Sequence, residues 1–493
     1  MKTLHYAAVA AALLCSVSAK AEGYQINTLS AKQLGMGHTG IALKLGAESM
    51  FFNPAGMAYM DKTIDMSASG TFIMPTCTAT DLETGREWTT DNGVSTPLNV
   101  NAAFSIYDNL KAGISFYTPY GSSINWTDDW AGSIFNQNVS LKMYTVQPTI
   151  SWAINEKISV GAGLMLGWAT VDLNKGLISA SSLDKVIRAT NLTNPGMDIP
   201  ECGDVTPASV NLNGKTSISA GVNVGVMYNA TEDLSFGASF RSQMNMKVKS
   251  GEATVRYNSA FAEEMLGEVL GSIHHENFRA QMPAAWVLGL GASYKGIDRL
   301  TLALDARLTG WHAYQSLDVE FLPESLQDMN QYIPKRYKNS WCFSAGAQYA
   351  VTQRLDARLG LMIDTTPVRS DYYNPETPGM TKIEPTIGLS FRPIPRLSID
   401  LGFMYIHGCG KKNASVSTPN LLYKGLLAQG MKEGMQQGIA NGLTGDALAA
   451  AAAQGAATAA AKAAAMGVEP TETFRANYKL HAFSPSIGIS YSF

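Results

Sequence analysis

Residues 234–248 read LSFGASFRSQMNMKV, and the period of that stretch decides the fold. Leu234, Phe236, Ala238, Phe240, Met244, Met246 and Val248 fall on one side of an extended chain, and Ser235, Gly237, Ser239, Arg241, Gln243, Asn245 and Lys247 on the other. A period of two means a strand with one apolar and one polar face. The run is longer than the about 5–6 residues usual for a soluble strand. Residues 300–308 repeat the arrangement, with Asp305 and Arg307 opposite Leu302, Leu304, Ala306 and Leu308. Residues 355–363 do so again, with Asp356 and Arg358 opposite Leu355, Ala357, Leu359, Leu361 and Ile363.

Working outward, the same alternation predicts strands near 63–74, 98–107, 110–121, 141–154, 158–175, 215–229, 234–250, 279–294, 300–320, 337–350, 355–368, 382–392, 397–408 and 480–493. The connections between them alternate strictly between short turns, such as Asp108-Asn109 and Asn155-Glu156-Lys157, and long loops, such as 176–214 and 409–479. About fourteen strands, with short turns at one end and long loops at the other, are the signature of an all-β, antiparallel transmembrane barrel of the bacterial outer membrane. A soluble sandwich explains neither the strand length nor the alternation of connections. Trp152, Trp168, Tyr228, Trp286, Trp311, Trp341, Tyr405 and Tyr491 lie toward strand ends, where an aromatic girdle is expected. The final strand carries Phe483, Ile487, Ile489, Tyr491 and Phe493 on its outward face. It must pair with the strand near Thr63, because an open edge in lipid leaves backbone groups unsatisfied.

Composition narrows the function classes. Residues 1–21 read as a cleaved secretory signal, with Lys2 at the start, an apolar run from Ala7 to Val17 and Ala19-Lys20-Ala21 at the cleavage site. After it no run is long and apolar enough for a membrane helix. A formal net charge of −3 gives no footprint for nucleic acid. Cys77, Cys202, Cys342 and Cys409 lack metal-ligand spacing, so no metal or other cofactor is expected. A disulfide among Cys77, Cys202 and Cys409 is left open. His274, His275 and His407 have no recognisable nucleophile spacing, so an enzyme is not expected.

Two stretches stand outside the barrel pattern. Residues 22–62 are rich in Gly, Ala and Ser, end near Asn53-Pro54-Ala55 and lack a period of two. They read as a plug inside a barrel formed by 63–493. In the last long loop, Gly430, Gly434, Gly438 and Gly442 run at spacing four beside Met431, Met435, Ile439 and Leu443, followed by an alanine-rich tract. On a helix these are adjacent small and apolar stripes, suited to packing on another helix or on the barrel mouth; a disordered loop is the alternative.

Gly23-Tyr24-Gln25, Asn53-Pro54-Ala55, Pro148-Thr149-Ile150-Ser151-Trp152, Phe240-Arg241-Ser242, Trp311, Asp364-Thr365-Thr366-Pro367-Val368 and Tyr405-Ile406-His407-Gly408 occur in this order. In this ordered set the chain resembles the FadL-type (OMPP1/FadL/TodX) family of outer-membrane transporters for long-chain fatty acids and other hydrophobic compounds. The resemblance implies a fourteen-stranded barrel with an N-terminal hatch, ligand capture among the outer loops, and lateral release where the third strand kinks. It places Gly23, Tyr24 and Gln25 near ligand and Asn53, Pro54 and Ala55 facing the lateral opening, with Pro119 and Gly121 at the kink. Phe116, Tyr117, Tyr120, Trp126, Trp130 and Phe135 are candidates for the capture groove. Arg241, Lys247, Arg307 and Arg358 face the lumen by alternation, as contacts for a carboxylate headgroup or as partners of lumen acids such as Asp305, Asp356 and Asp400. The expected partners are a hydrophobic ligand, outer-membrane lipid and the barrel-insertion machinery, around a monomer. A general porin, which needs no plug, and a loop-mediated adhesin or receptor are the rival readings.

Overall fold

The computed structural model describes residues 23–127, 129–270, 274–324, 327 and 330–493, with the side chains of 266–276 undescribed. The expected signal, 1–21, lies outside the described residues. Fourteen staves form a closed antiparallel barrel: β1 (64–81), β2 (98–107), β3 (110–125), β4 (138–153), β5 (158–178), β6 (208–229), β7 (234–257), β8 (274–297), β9 (300–321), β10 (331–350), β11 (355–364), β12 (382–394), β13 (397–419) and β14 (471–492). Closure comes from β14 pairing with β1, Asp65 opposite Ser492 through Thr71 opposite Ser486. No described helix is long and apolar enough to cross a membrane.

Several staves extend past their sequence-predicted ends, because each crosses two zones with opposite demands. In the lipid zone the apolar residues point out, as with Ile114, Ile150, Leu290, Leu304, Leu359, Leu401 and Ile487. The inward side there is polar, with Ser115, Gln147, Asn223, Asp305, Arg307, Asp356 and Arg358 buried. Beyond the lipid the outside meets water, so the apolar residues turn inward: Leu141, Met246, Val248, Phe278, Leu317 and Val319 are buried. Stave β7 makes this change of face at a break over Ser242 and Gln243. Phe236 and Phe240 point out, whereas Met244, Met246 and Val248 point in. The single continuous apolar face expected over 234–248 is therefore corrected, and Lys247 is exposed on the outside rather than in the lumen.

Other sequence expectations change for similar reasons. Trp152, Tyr228 and Trp341 are exposed at the wall as a girdle requires, but Trp311 is fully buried in the interior. The four cysteines of the described chain are free thiols. The last outer loop is ordered as two antiparallel helices, α1 (Leu421–Ala440) and α2 (Gly445–Ala465). Gly430 and Gly434 lie against Gly455, where a Cβ would meet backbone. The small stripe thus packs helix on helix, and Met431, Met435 and Ile439 are left exposed.

Residues 23–60 are mostly buried and pack on inward-facing side chains of the barrel wall. Short helical turns, Ala31–Leu34, Gly46–Glu48, Ser49–Phe52 and Pro54–Tyr59, carry mostly buried side chains. A compact polar-backbone segment can sit there because the wall supplies partners for its backbone groups. Asp305 Oδ2 accepts from Gly40 N (2.7 Å) and Ile41 N (3.2 Å), Gln147 Nε2 donates to Met50 O (2.8 Å), and Ser293 Oγ donates to Ala42 O (2.8 Å). Wall glycines allow the approach: a Cβ on Gly225 would collide with Asn53 Oδ1, and one on Gly360 with the Gly37 backbone.

Candidate functional site

The wall is interrupted between β2 and β3. Their ladder ends at Asn99 opposite Tyr117, followed by a register shift from Tyr117 to Tyr120 in the pairing of β3 with β4. Four consecutive residues, Tyr117 to Tyr120, are buried, which a regular wall strand does not allow, so β3 bends into the lumen here. Leu98 N donates to Thr118 Oγ1 (3.0 Å) at one end of the interruption, and Asp91 N donates to Asn125 O (2.9 Å) at the other. Between them the free edge of β3 pairs with the N-terminal segment from inside. Ile26 N donates to Pro119 O (2.9 Å), and Gly121 N donates to Tyr24 O (2.8 Å). Pro119 lacks an N–H and its carbonyl serves the hatch, so its place at this edge leaves no backbone donor unpaired.

A cavity of about 550 Å³ occupies this opening. Its lining combines the N-terminal segment (Gly23 and residues 25–28), the bend (Thr118, Tyr120 and residues 121–124), the loop 93–98 and the inner faces of β12, β13 and β14 through Glu384, Met404 and Leu480. Above it lies a small, nearly wholly apolar chamber of about 50 Å³, lined by Leu141, Val171, Leu212, Met246, Val248, Phe278, Leu317 and Val319. Ser122, Leu141 and Thr377 line both spaces, so the two adjoin. Tyr24 forms part of the chamber; its ring packs edge-on against Trp311 (4.7 Å) and Tyr314 (5.8 Å), and its hydroxyl donates to Pro283 O. Burial among these rings pushes the Tyr24 phenol well above its ordinary range. Lys335 and Glu376, both buried in the outer loops, pair at 2.7 Å, and Glu376 borders the chamber.

The sequence-derived candidates separate into distinct places. Gly23, Gln25, Tyr120 and Gly121 line the lateral cavity, and Tyr24 the chamber. Asn53, Pro54 and Ala55 do not face the opening. Asn53 Nδ2 donates to Ile41 O and Val226 O, Pro54 lies against Gly161, and Ala55 O accepts from Ser159 Oγ, so this segment docks on β5 and β6. Phe116 points outward beside Tyr144 and Trp168. Tyr117 packs with Phe51 of the hatch, and its hydroxyl donates to Gln147 Oε1. Trp126 and Trp130 stack at 4.1 Å within the packed core of the outer loops, and Phe135 joins that core. These residues hold loops together rather than line an open groove.

The cations also have structural neighbours. The Arg241 guanidinium lies 4.2 Å over the Phe51 ring. Arg307 donates to Asn27 Oδ1 (2.9 Å) and faces His38 Nδ1 (3.3 Å). Arg358 sits among Asp356, Asp400 and Ser390. His38, within the hatch, accepts Leu29 N–H at Nε2 (3.2 Å), and burial first, then Arg307 and Arg241, holds its pKa well below the ordinary value. Sequence reasoning missed Glu384 and the chamber residues other than Tyr24, because they come from separate staves and only closure brings them together, and it put the buried Trp311 in the girdle. Among the described residues no cluster suited to a metal ion occurs.

The family described as "Outer membrane protein transport protein (OMPP1/FadL/TodX)" matches residues 12–460. The chain belongs to this family. Relatives include outer membrane protein P1 of Haemophilus influenzae, 23% identical over 83% of this chain and 91% of that protein. A long-chain fatty acid transport protein of Escherichia coli is 24% identical over 81% of this chain and 90% of that protein. Among solved structures, a Pseudomonas aeruginosa FadL homologue superimposes with a TM-score of 0.70 at 17% identity, covering 96% of this chain and all of that one. The P. putida toluene transporter TodX gives 0.62 at 14% identity over 96% of this chain and 99% of its own. The latter two speak to the fold alone. The chain is thus an outer-membrane β-barrel of a transport family.

Proposed function

We propose that this protein takes up long-chain fatty acids or other hydrophobic small molecules by diffusion, and releases them sideways through the interruption between β2 and β3. The observation that carries the reading is the adjoining pair of spaces: an apolar chamber among the outer extensions, and a cavity in the barrel wall reached past Ser122, Leu141 and Thr377. Such a route keeps an apolar solute out of water, whereas an aqueous pore does not solvate it. On this reading the N-terminal segment plugs the lumen below, which disfavours a general porin. The hatch segment 23–28 lies between chamber and opening, so its movement is the gating step; similarity to a long-chain fatty acid transport protein and to a toluene transporter favours a fatty acid or an aromatic hydrocarbon as cargo. No cofactor or catalytic group enters this account.

The test is uptake of labelled fatty acid and toluene by Gram-negative cells that lack a family member of their own and express this chain. Ser122→Trp, at the junction of the two spaces, should abolish uptake while surface level and heat-modifiable migration stay at wild-type values. Undiminished uptake in a folded Ser122→Trp barrel rejects the lateral route.

A further inference from the structure

The inner wall of the lateral cavity holds a buried carboxyl group that the transport reading does not use. Glu384 on β12 is 2% exposed, lines the cavity, and has Oε2 without a protein hydrogen-bond partner among the described residues. Its neighbour on β11, Asp364, is fully buried, and neither of its carboxylate oxygens has a hydrogen-bond partner among those residues. The ladder sets Asp364 opposite Lys382 and Met362 opposite Glu384, so all three groups face the lumen within one turn of the pleat. Lys382 Nζ is 3.8 Å from Asp364 Oδ2. The next cation, Arg307, is engaged by Asn27, Cys342, Ser344 and Met362. Two carboxylates therefore share one lysine beside the cavity.

Buried acceptors without donors are costly, and a site built of them discriminates strongly in favour of a ligand that supplies the donor. We infer that Glu384, backed by Asp364 and Lys382, binds the hydrogen-bond-donating head of an otherwise apolar solute, a hydroxyl or ammonium group, and disfavours a carboxylate. The inference rests on the lateral route proposed above and narrows its cargo. The paired state of Lys335 and Glu376 beside the chamber fits the same preference, since that lysine's charge is already answered. At the inner wall a carboxylate head would meet the like charge of Glu384 and Asp364, whereas Lys142 lines the same cavity on its exposed side.

The experiment measures uptake of dodecanol and dodecanoate at pH 7.5 in cells expressing wild type, Glu384→Gln or Glu384→Leu, against cells with no family member. Wild type should admit the alcohol about tenfold faster than the acid, and both variants should bring the ratio toward one, as expected for loss of a like charge a few ångströms from the head. Heat-modifiable migration identifies folded barrels. Equal wild-type rates for the two solutes, or a ratio unmoved in a folded variant, overturn the inference and leave the route standing. Entry of neither solute above background rejects the transport reading and this inference with it.

Discussion

Asp305→Ala probes what keeps the hatch in place. Asp305 Oδ2 receives two hatch backbone donors, Gly40 N at 2.7 Å and Ile41 N at 3.2 Å, in a buried setting. A hydrogen bond to a charged group contributes about 1.5–3 kcal/mol, so losing both destabilises the docked hatch by about 3 kcal/mol or more. At about 1.4 kcal/mol per tenfold, the undocked population rises at least about a hundredfold. The assay is planar-bilayer conductance, with a version lacking residues 22–61 as the fully open reference and Asp318→Ala, on the exposed outer side, as the control. Wild type and Asp318→Ala should be nearly silent, and Asp305→Ala should open in frequent steps of the size the truncated barrel defines. A folded Asp305→Ala protein as silent as wild type would refute the assignment of Asp305 as an anchor.

Further expectations follow from single contacts. His38 has a folded pKa well below the unfolded value near 6.5, so the stability it contributes is fully present above about 6.5 and is lost progressively as pH falls from there toward the folded pKa. Protonation at Nε2 would break the Leu29 bond beside Arg307; conductance should rise on acidification from pH 7 to 5, and His38→Gln should flatten that rise. Lys335→Met leaves Glu376 buried and unpaired and should destabilise the outer loops by about 3–5 kcal/mol, read as protease sensitivity, with Lys335→Met/Glu376→Gln less affected. Gly434→Leu would drive a side chain into Ala451 O and should expose 421–467 to protease while leaving uptake intact, because α1 and α2 pack on each other away from the lateral cavity.

How much was legible depended on whether one strand or several carried the signal. The period of two at 300–308 and 355–363 is local, as is the need of the last strand for an N-terminal partner, so the barrel and its closure were readable. The phase change at Ser242 and Gln243 was not, since residues of one parity stay apolar while the surroundings exchange lipid for water. Asn53 was assigned to the opening by resemblance, but its amide is fixed by Ile41 O and Val226 O, contacts that depend on how the hatch threads the lumen. The alternation correctly put Arg307 and Arg358 inside; it could not say that each meets protein partners. Gly121 stood out by residue type beside Pro119 and lines the lateral cavity, whereas Glu384 resembled any polar inward residue until the cavity beside it was known.

The most direct test of the central claim staples the N-terminal segment to the bend in β3. Gln25 and Tyr120 face each other across an antiparallel bridge, so Gln25→Cys with Tyr120→Cys, in a background with Cys202→Ser and Cys409→Ser, brings two thiols to disulfide distance. Uptake of labelled hydrophobic solute is measured oxidised and after reduction. Lateral release past a moving 23–28 segment predicts uptake blocked when the staple is closed and restored by reductant. Full uptake through a barrel shown by mass to carry the closed staple would contradict it.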